Sequence, residues 1–189
     1  IYYYDEKIID LKDIKLRGAH NYENIMAAIM ATKELKSTNE EIKKVLTTFM
    51  GVEHRLEYVN TVNKRTFYND TEATNIKCTQ IALSSFKEPT IIILGGLERG
   101  QNFDDLKPYI KNVKAILAIG ECRKRVVEFA KKNNKQVYEY EHLKDATKKA
   151  YEISDENDII LLSPASASWD QYKQCEDRGD EFKNIVNNL

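Results

Sequence analysis

The sequence predicts an α/β fold: a Rossmann-like, mostly parallel sheet with helices on both faces, preceded by the tail of a second domain, a hairpin plus helices. Three observations lead there. Short continuous apolar runs, such as Ile91-Ile92-Ile93-Leu94 and Ile159-Ile160-Leu161-Leu162, mark strands buried on both faces. Amphipathic helical stretches alternate with these runs, and parallel neighbours need crossovers of that kind. Residues 1–50 do not share the alternation, which sets them apart.

Taken in order, Ile1-Tyr2-Tyr3-Tyr4, a charged turn at Asp5-Glu6-Lys7 and Ile8-Ile9 form an opening hairpin. Residues 22–35 are helix-prone. Thr38-Asn39-Glu40-Glu41 is a capping box, and behind it Ile42, Val45, Leu46 and Phe49 fall at i, i+3, i+4 and i+7. One face of that helix is therefore expected to be buried. Gly51 suits a helix carboxyl cap and places a domain boundary between residues 50 and 51, giving domains 1–50 and 51–189. Residues 56–68 favour strand on both sides of Asn63-Lys64-Arg65, a second hairpin. Helix is then expected over 74–86, strand over 90–94 ending at Gly95-Gly96, and a short helix over 103–110. Strand comes next over 113–119, helix over 121–132, strand over 136–140, helix over 143–153 and strand over 158–162. Phe182, Ile185, Val186 and Leu189, again at i, i+3, i+4 and i+7, mark a closing helix.

Composition narrows the function. The 189 residues carry 29 basic and 30 acidic side chains, a net charge of -1, which argues against nonspecific nucleic-acid binding. No apolar run approaches the ~20 residues of a membrane-spanning helix, and no signal peptide is visible. A soluble cytoplasmic protein without membrane insertion is expected. Cys78, Cys122 and Cys175 are odd in number and widely spaced, and His20, His54 and His142 are scattered, so no metal site is expected. The chain opens at Ile1 inside a predicted strand, so a piece of a longer polypeptide is expected.

Several segments can carry chemistry. Ser163-Pro164-Ala165-Ser166-Ala167-Ser168-Trp169-Asp170-Gln171-Tyr172 follows an apolar strand, the place where α/β proteins bind small molecules. No Gly-x-Ser-x-Gly elbow surrounds its serines, so binding is favoured over nucleophilic catalysis. Gly95-Gly96-Leu97-Glu98-Arg99-Gly100 follows another strand. Its glycines allow close backbone approach, and Arg99 offers a planar fork for a carboxylate or phosphate. It is neither a dinucleotide fingerprint nor a P-loop. In Asn69-Asp70-Thr71-Glu72-Ala73-Thr74-Asn75, Asp70, Thr71 or Thr74 can cap the next helix; equally, Asp70 can accept from a ribose. Arg55 suits a surface ion pair, Asn21 and Asn24 stand one helical turn apart, and the charge run 176–180 reads as solvated, with Arg178 able to tie the last loop to the domain.

In order, Gly18-Ala19-His20-Asn21-x-x-Asn24, Gly51-Val52-Glu53-His54-Arg55, residues 69–75, residues 95–100 and residues 163–172 resemble the Mur ligases, most nearly the branch that adds D-glutamate. The resemblance implies the end of a central ATPase domain followed by a Rossmann-like amino-acid-binding domain. It implies a reaction in which ATP with Mg activates the carboxylate of UDP-N-acetylmuramoyl-L-alanine as an acyl phosphate, which the amine of D-glutamate attacks, in peptidoglycan synthesis. By the same resemblance Asn21, Asn24, Arg55 and Asp70 contact ATP, while Thr74, Arg99 and Ser168 hold D-glutamate. The P-loop and magnesium ligands of the family fall outside these residues. The chain alone is therefore expected to be inactive, with no catalytic residue of its own, and monomeric. Three positions depart from the family pattern: Glu72 where lysine is usual, Ser166 where cysteine or asparagine is common, and Cys175 where an aromatic residue usually packs. Glu72 and Cys175 are expected at the pocket wall. The competing expectation is a stand-alone or degenerate module that binds a nucleotide or amino acid without catalysis.

Overall fold

Runs of branched aliphatic residues cannot be left facing water, and here they form the middle of a six-stranded sheet covered on both faces. A computed structural model describes residues 1–189, which divide into two compact units, residues 1–51 and 52–189.

In residues 1–51, β1 (Tyr2–Tyr3) pairs antiparallel with β2 (Glu6–Lys7), and a 3₁₀ turn, Leu11–Asp13, precedes α1 (Ala19–Glu34) and α2 (Asn39–Thr48). The turn lies at Tyr4-Asp5, with Tyr4 at φ 49°, rather than at Asp5-Glu6-Lys7, because Glu6 and Lys7 are taken up in pairing. The capping box forms: Thr38 accepts from the Glu41 amide while the Glu41 carboxylate accepts from the Thr38 amide at 2.8 Å. The buried face of α2 is narrower than its spacing predicts. Ile42 joins Ile8, Ile9, Ile14, Ile25 and Ile29 in the core, with Leu46 packed against it, whereas Val45 and Phe49 are exposed.

The second unit opens with β3 (Glu57–Val62) and β4 (Arg65–Asn69), an antiparallel hairpin. Val62 pairs with Arg65, so the loop is Asn63-Lys64 alone. Both of these residues have positive φ, the signature of a type I′ turn, whose twist matches the strands it joins. Next come α3 (Ile76–Ser84), β5 (Thr90–Gly95), a 3₁₀ helix (Phe103–Tyr109), β6 (Val113–Ile119), α4 (Arg123–Lys132), β7 (Gln136–Glu139), α5 (Leu143–Glu152), β8 (Ile159–Leu162) and α6 (Cys175–Val186). Strand order is β3-β4-β8-β5-β6-β7, with every neighbour from β4 to β7 parallel. Leu189 lies beyond the closing helix.

Alternation along each strand divides the core in two. Ile92, Leu94, Ile116, Ala118 and Leu161 face Leu83, Leu106, Val126 and Phe129, from α3, the 3₁₀ helix and α4. Ile91, Ile93, Ala115, Leu117, Ile160 and Leu162 face Leu143, Ala146, Phe182 and Val186, from α5 and α6. No helix is long and apolar enough to cross a membrane.

Ile92 is fully buried at the sheet centre. Truncation to alanine is expected to destabilise the fold by about 2–5 kcal/mol through lost burial and the cavity left behind. Urea denaturation of Ile92→Ala checks this, and a loss below about 1 kcal/mol would mean that the site collapses or is not core.

Candidate functional site

Because β8 inserts between β4 and β5, the carboxyl ends of β5 and β8 lie side by side. The chain leaves them for opposite faces, toward the 3₁₀ helix after β5 and toward α6 after β8. Such a divergence opens a crevice, the usual ligand position in parallel sheets. Backbone bonds join the two loops that line it: the Gly95 amide donates to the Pro164 carbonyl and the Leu97 amide to that of Ala167, each at 2.9 Å. At Gly96, φ 148°, a Cβ would lie 2.3 Å from the Ala167 carbonyl oxygen, so only glycine permits this approach.

The charge run at 176–180 is solvated only in part: Asp177 and Asp180 are exposed, whereas Arg178 ties the last loop to the domain. It forms the start of α6 and buries Arg178, 1% exposed, together with Gly179. Arg178 Nε donates to Thr71 Oγ1 at 3.0 Å, and Nη2 donates to the carbonyls of Thr71 at 3.0 Å and Ser166 at 3.1 Å. Thr71 Oγ1 in turn donates to the Cys175 carbonyl at 2.8 Å. One guanidinium thus ties the loop after β4 to the loop after β8. Gly179 makes room for this, since a Cβ there would meet His54 Nδ1 at 2.4 Å and Thr71 Cγ2 at 2.7 Å. Burial pulls Arg178 down to about 10, against the attraction of Asp170, and it remains a cation at neutral pH. Its Nη1 has no hydrogen-bond partner.

Asp70 is nearly buried. Its Oδ1 accepts from the Leu56 amide at 3.1 Å and its Oδ2 from the Ser163 hydroxyl at 2.7 Å. Burial, only partly offset by these bonds and by Arg55, pushes its carboxyl up to about 6. The α3 cap is none of Asp70, Thr71 and Thr74 but Asn75, which accepts from the Cys78 amide at 3.1 Å. Thr74 is half-buried with its hydroxyl unbonded. Arg55 is exposed, and its Nη2 meets Glu72 Oε2 at 3.4 Å. Glu72 Oε1 lies 3.5 Å from the Cys175 thiol, which also faces Glu176 Oε2 at 3.3 Å. Burial first, then these carboxylates, pushes that thiol up to about 11. Glu72 and Cys175 therefore touch, and the reversed charge at Glu72 is matched by Arg55.

Ser168 is buried, with an Oγ that has no partner. Arg99 is exposed, and its guanidinium lies over the Trp169 ring at 4.6 Å with no hydrogen bond or ion pair from the side chain. The loops after β5 and β8 so bring Arg99 beside the Ser168-Trp169 segment, while Arg55, Asp70, Glu72 and Cys175 gather around the loop after β4. Asn21 and Asn24 belong to residues 1–51. Asn21 donates to the Arg17 carbonyl at 2.7 Å from the first turn of α1, and the exposed Asn24 has a free amide. Thr71, a capping candidate by sequence, instead accepts from Arg178, and the sequence carries no signal for Gln101. Ser163 bridges Asp70 and Thr79, and Gln101 bonds Ser166.

Two side-chain groups come within 4.8 Å of one another as metal ligands would: Glu53, His54 and Asp180; and Glu72, Cys175 and Glu176. In the first, Lys183 bridges Glu53 and Asp180; in the second, Arg55 pairs with Glu72 and the thiol keeps its proton. Both are satisfied as charge networks.

Residues 54–166 match the family model described as Mur ligase, glutamate ligase domain. The chain belongs to the Mur ligase family. It is 50% identical to the UDP-N-acetylmuramoylalanine–D-glutamate ligase of Bacillus pumilus (strain SAFR-032), over 100% of this chain and 42% of that protein. With the ligase of the same name from Bacillus subtilis (strain 168) it shares 50% identity over 97% of this chain and 41% of the relative. It thus spans about two-fifths of the length of these curated Mur ligases. Among solved structures, the UDP-N-acetylmuramate-alanine ligase MurC of Thermotoga maritima aligns with TM-score 0.69 and 18% identity over 93% of this chain and 39% of that one. A pseudomurein peptide ligase type C from Methanothermus fervidus aligns with TM-score 0.58 and 20% identity, over 90% and 36%. At such identities these two show the shared fold.

Asp70 yields a pH test. Because its folded pKa lies above the unfolded value, the folded state holds the proton more tightly, and this contribution to stability is lost as pH rises through about 6. Asp70→Asn is expected to remove that component of the stability profile between pH 4 and 7, and the Asp70 carboxyl carbon is expected to titrate near pH 6 by NMR. A carboxyl titrating near its ordinary value would contradict the burial described.

Proposed function

We propose that this chain is the carboxyl-terminal part of an ATP-dependent amide-bond ligase that adds D-glutamate to UDP-N-acetylmuramoyl-L-alanine in peptidoglycan synthesis. What carries the proposal is 50% identity, over the whole chain, with ligases bearing that name. In this assignment residues 1–51 end the ATPase domain and residues 52–189 form the amino-acid domain of a cytoplasmic, monomeric enzyme.

The site supports the assignment chemically. D-glutamate carries two carboxylates and one amine. Arg99 offers unpaired N–H donors in a planar fork, and Ser168 and Thr74 offer hydroxyls with no other hydrogen-bond partner. Gripping the carboxylates at strand ends leaves the amine free to attack an activated carbonyl, so the domain contributes orientation rather than bond making.

ATP with magnesium supplies the phosphoryl group that activates the acceptor's carboxylate as an acyl phosphate. Asn21, Asn24, Arg55 and Asp70 would hold the nucleotide. Arg55 fits an anion, being exposed and engaged by Glu72 alone, and Asp70 fits as an acceptor for hydroxyls. No G-x-x-x-x-G-K-[ST] motif occurs in the 189 residues, so the chain alone should bind without turnover.

Calorimetric titration tests the assignment. D-glutamate should bind saturably and L-glutamate should not, and Glu72→Lys should tighten binding of an ATP analogue by removing the carboxylate that holds Arg55. Equal heats for the two enantiomers would overturn the proposal.

A further inference from the structure

The chain has a single tryptophan, and it stands 62% exposed in the loop after β8. A large apolar ring left in water asks for an explanation, and the Arg99 guanidinium 4.6 Å from its centroid supplies one. The geometry around Arg99 is specific. Its backbone is held fast: its amide donates to Gln101 Oε1 at 2.9 Å, the Gly100 amide donates to Glu98 Oε1 at 2.6 Å, and Arg125 clamps Glu98 at 2.6 Å. Gln101 bonds the Leu97 carbonyl and Ser166 in addition, which locks the loop after β5 onto the loop after β8. The Arg99 side chain leaves this hydrogen-bonded base and lies over the Trp169 ring. No carboxylate, carbonyl or hydroxyl takes any of its N–H donors. Stacking over a ring leaves the edge of the guanidinium plane, where those donors point, available for a planar anion.

We propose that Trp169 is a positioning residue of the amino-acid site: its indole carries Arg99 and holds the guanidinium in the orientation that receives a carboxylate of the ligand. This rests on the D-glutamate reading above. Trp169 sits immediately after Ser168, whose buried hydroxyl lacks a partner, so one loop presents both the anchor of the cation and a hydroxyl for the ligand. A flexible arginine would have to be ordered on each binding event. The stacked one is ordered beforehand, which favours binding without adding a contact.

The experiment has a ligand-free arm and a ligand arm. In the absence of ligand, emission and acrylamide quenching of the lone tryptophan are compared between the wild-type chain and Arg99→Ala. Easier quenching in the variant is expected, and identical spectra and quenching would show that the stack does not exist. In the ligand arm, D-glutamate affinity is measured by calorimetry for wild type, Trp169→Ala, Trp169→Phe and Arg99→Lys. A surface cation–π pair supports about a two- to fivefold loss in Trp169→Ala, with recovery in Trp169→Phe. Equal affinity in wild type and Trp169→Ala would overturn the positioning role while leaving the D-glutamate site standing. Absence of D-glutamate binding in every form would remove the site itself, and the proposal with it.

Discussion

The site depends on one buried guanidinium. Arg178 enters the domain from the first turns of α6 and bonds the side chain and carbonyl of Thr71 and the carbonyl of Ser166. Without it, the loops after β4 and β8 would each carry buried carbonyls with no donor, at about 1–3 kcal/mol apiece. Taking a cation out of water is itself unfavourable, and no carboxylate bonds this one directly. The arrangement persists because neutral acceptors surround the group, Asp170 attracts it from a distance, and a rigid fork reaches two loops at once. Lysine, with one point of charge on a flexible stem, cannot reproduce that geometry.

Arg178 imposes a division of labour on three loops. The loop after β4 is drawn inward, which buries Asp70 against Ser163 and brings Glu72 against Cys175. The loop after β8 is pinned through Ser166, and the loop after β5 rides on it through Gln101 and the Leu97 amide. Arg99 is then delivered to the Trp169 ring from a base held by hydrogen bonds. The acid at Glu72 is paired locally with Arg55, away from the Arg99 and Ser168 side chains of the loops after β5 and β8.

Much of the fold was legible because strands buried on both faces have to be written as nearly continuous aliphatic runs, as β5 and β8 are, and β6 apart from Lys114. The capping box before α2 was legible because both of its partners are three residues apart. Burial was less legible where the deciding neighbour is distant in sequence. In residues 176–180 the acids Asp177 and Asp180 are solvated as composition suggests, while the depth of Arg178 is set by Thr71 and Ser166; Val45 and Phe49 have helical spacing, yet the core of residues 1–51 takes in Ile42 and Leu46 and leaves the other two exposed. The same holds at the site. Arg99 drew attention as a planar fork after a strand and Ser168 through the family resemblance, whereas the Ser163–Asp70 bond and the Arg99–Trp169 stack are tertiary pairings that no local pattern encodes.

The most direct measurement of the central claim is hydrogen–deuterium exchange on the wild-type chain and Arg178→Lys, which keeps the charge but not the fork. If Arg178 holds the site together, amides in residues 70–75 and 163–172 should lose protection in the variant while those of Ile91–Leu94 and Ala115–Ala118 keep theirs. Unchanged protection in both loops would contradict the claim and leave Arg178 as a passenger in a site held by other bonds.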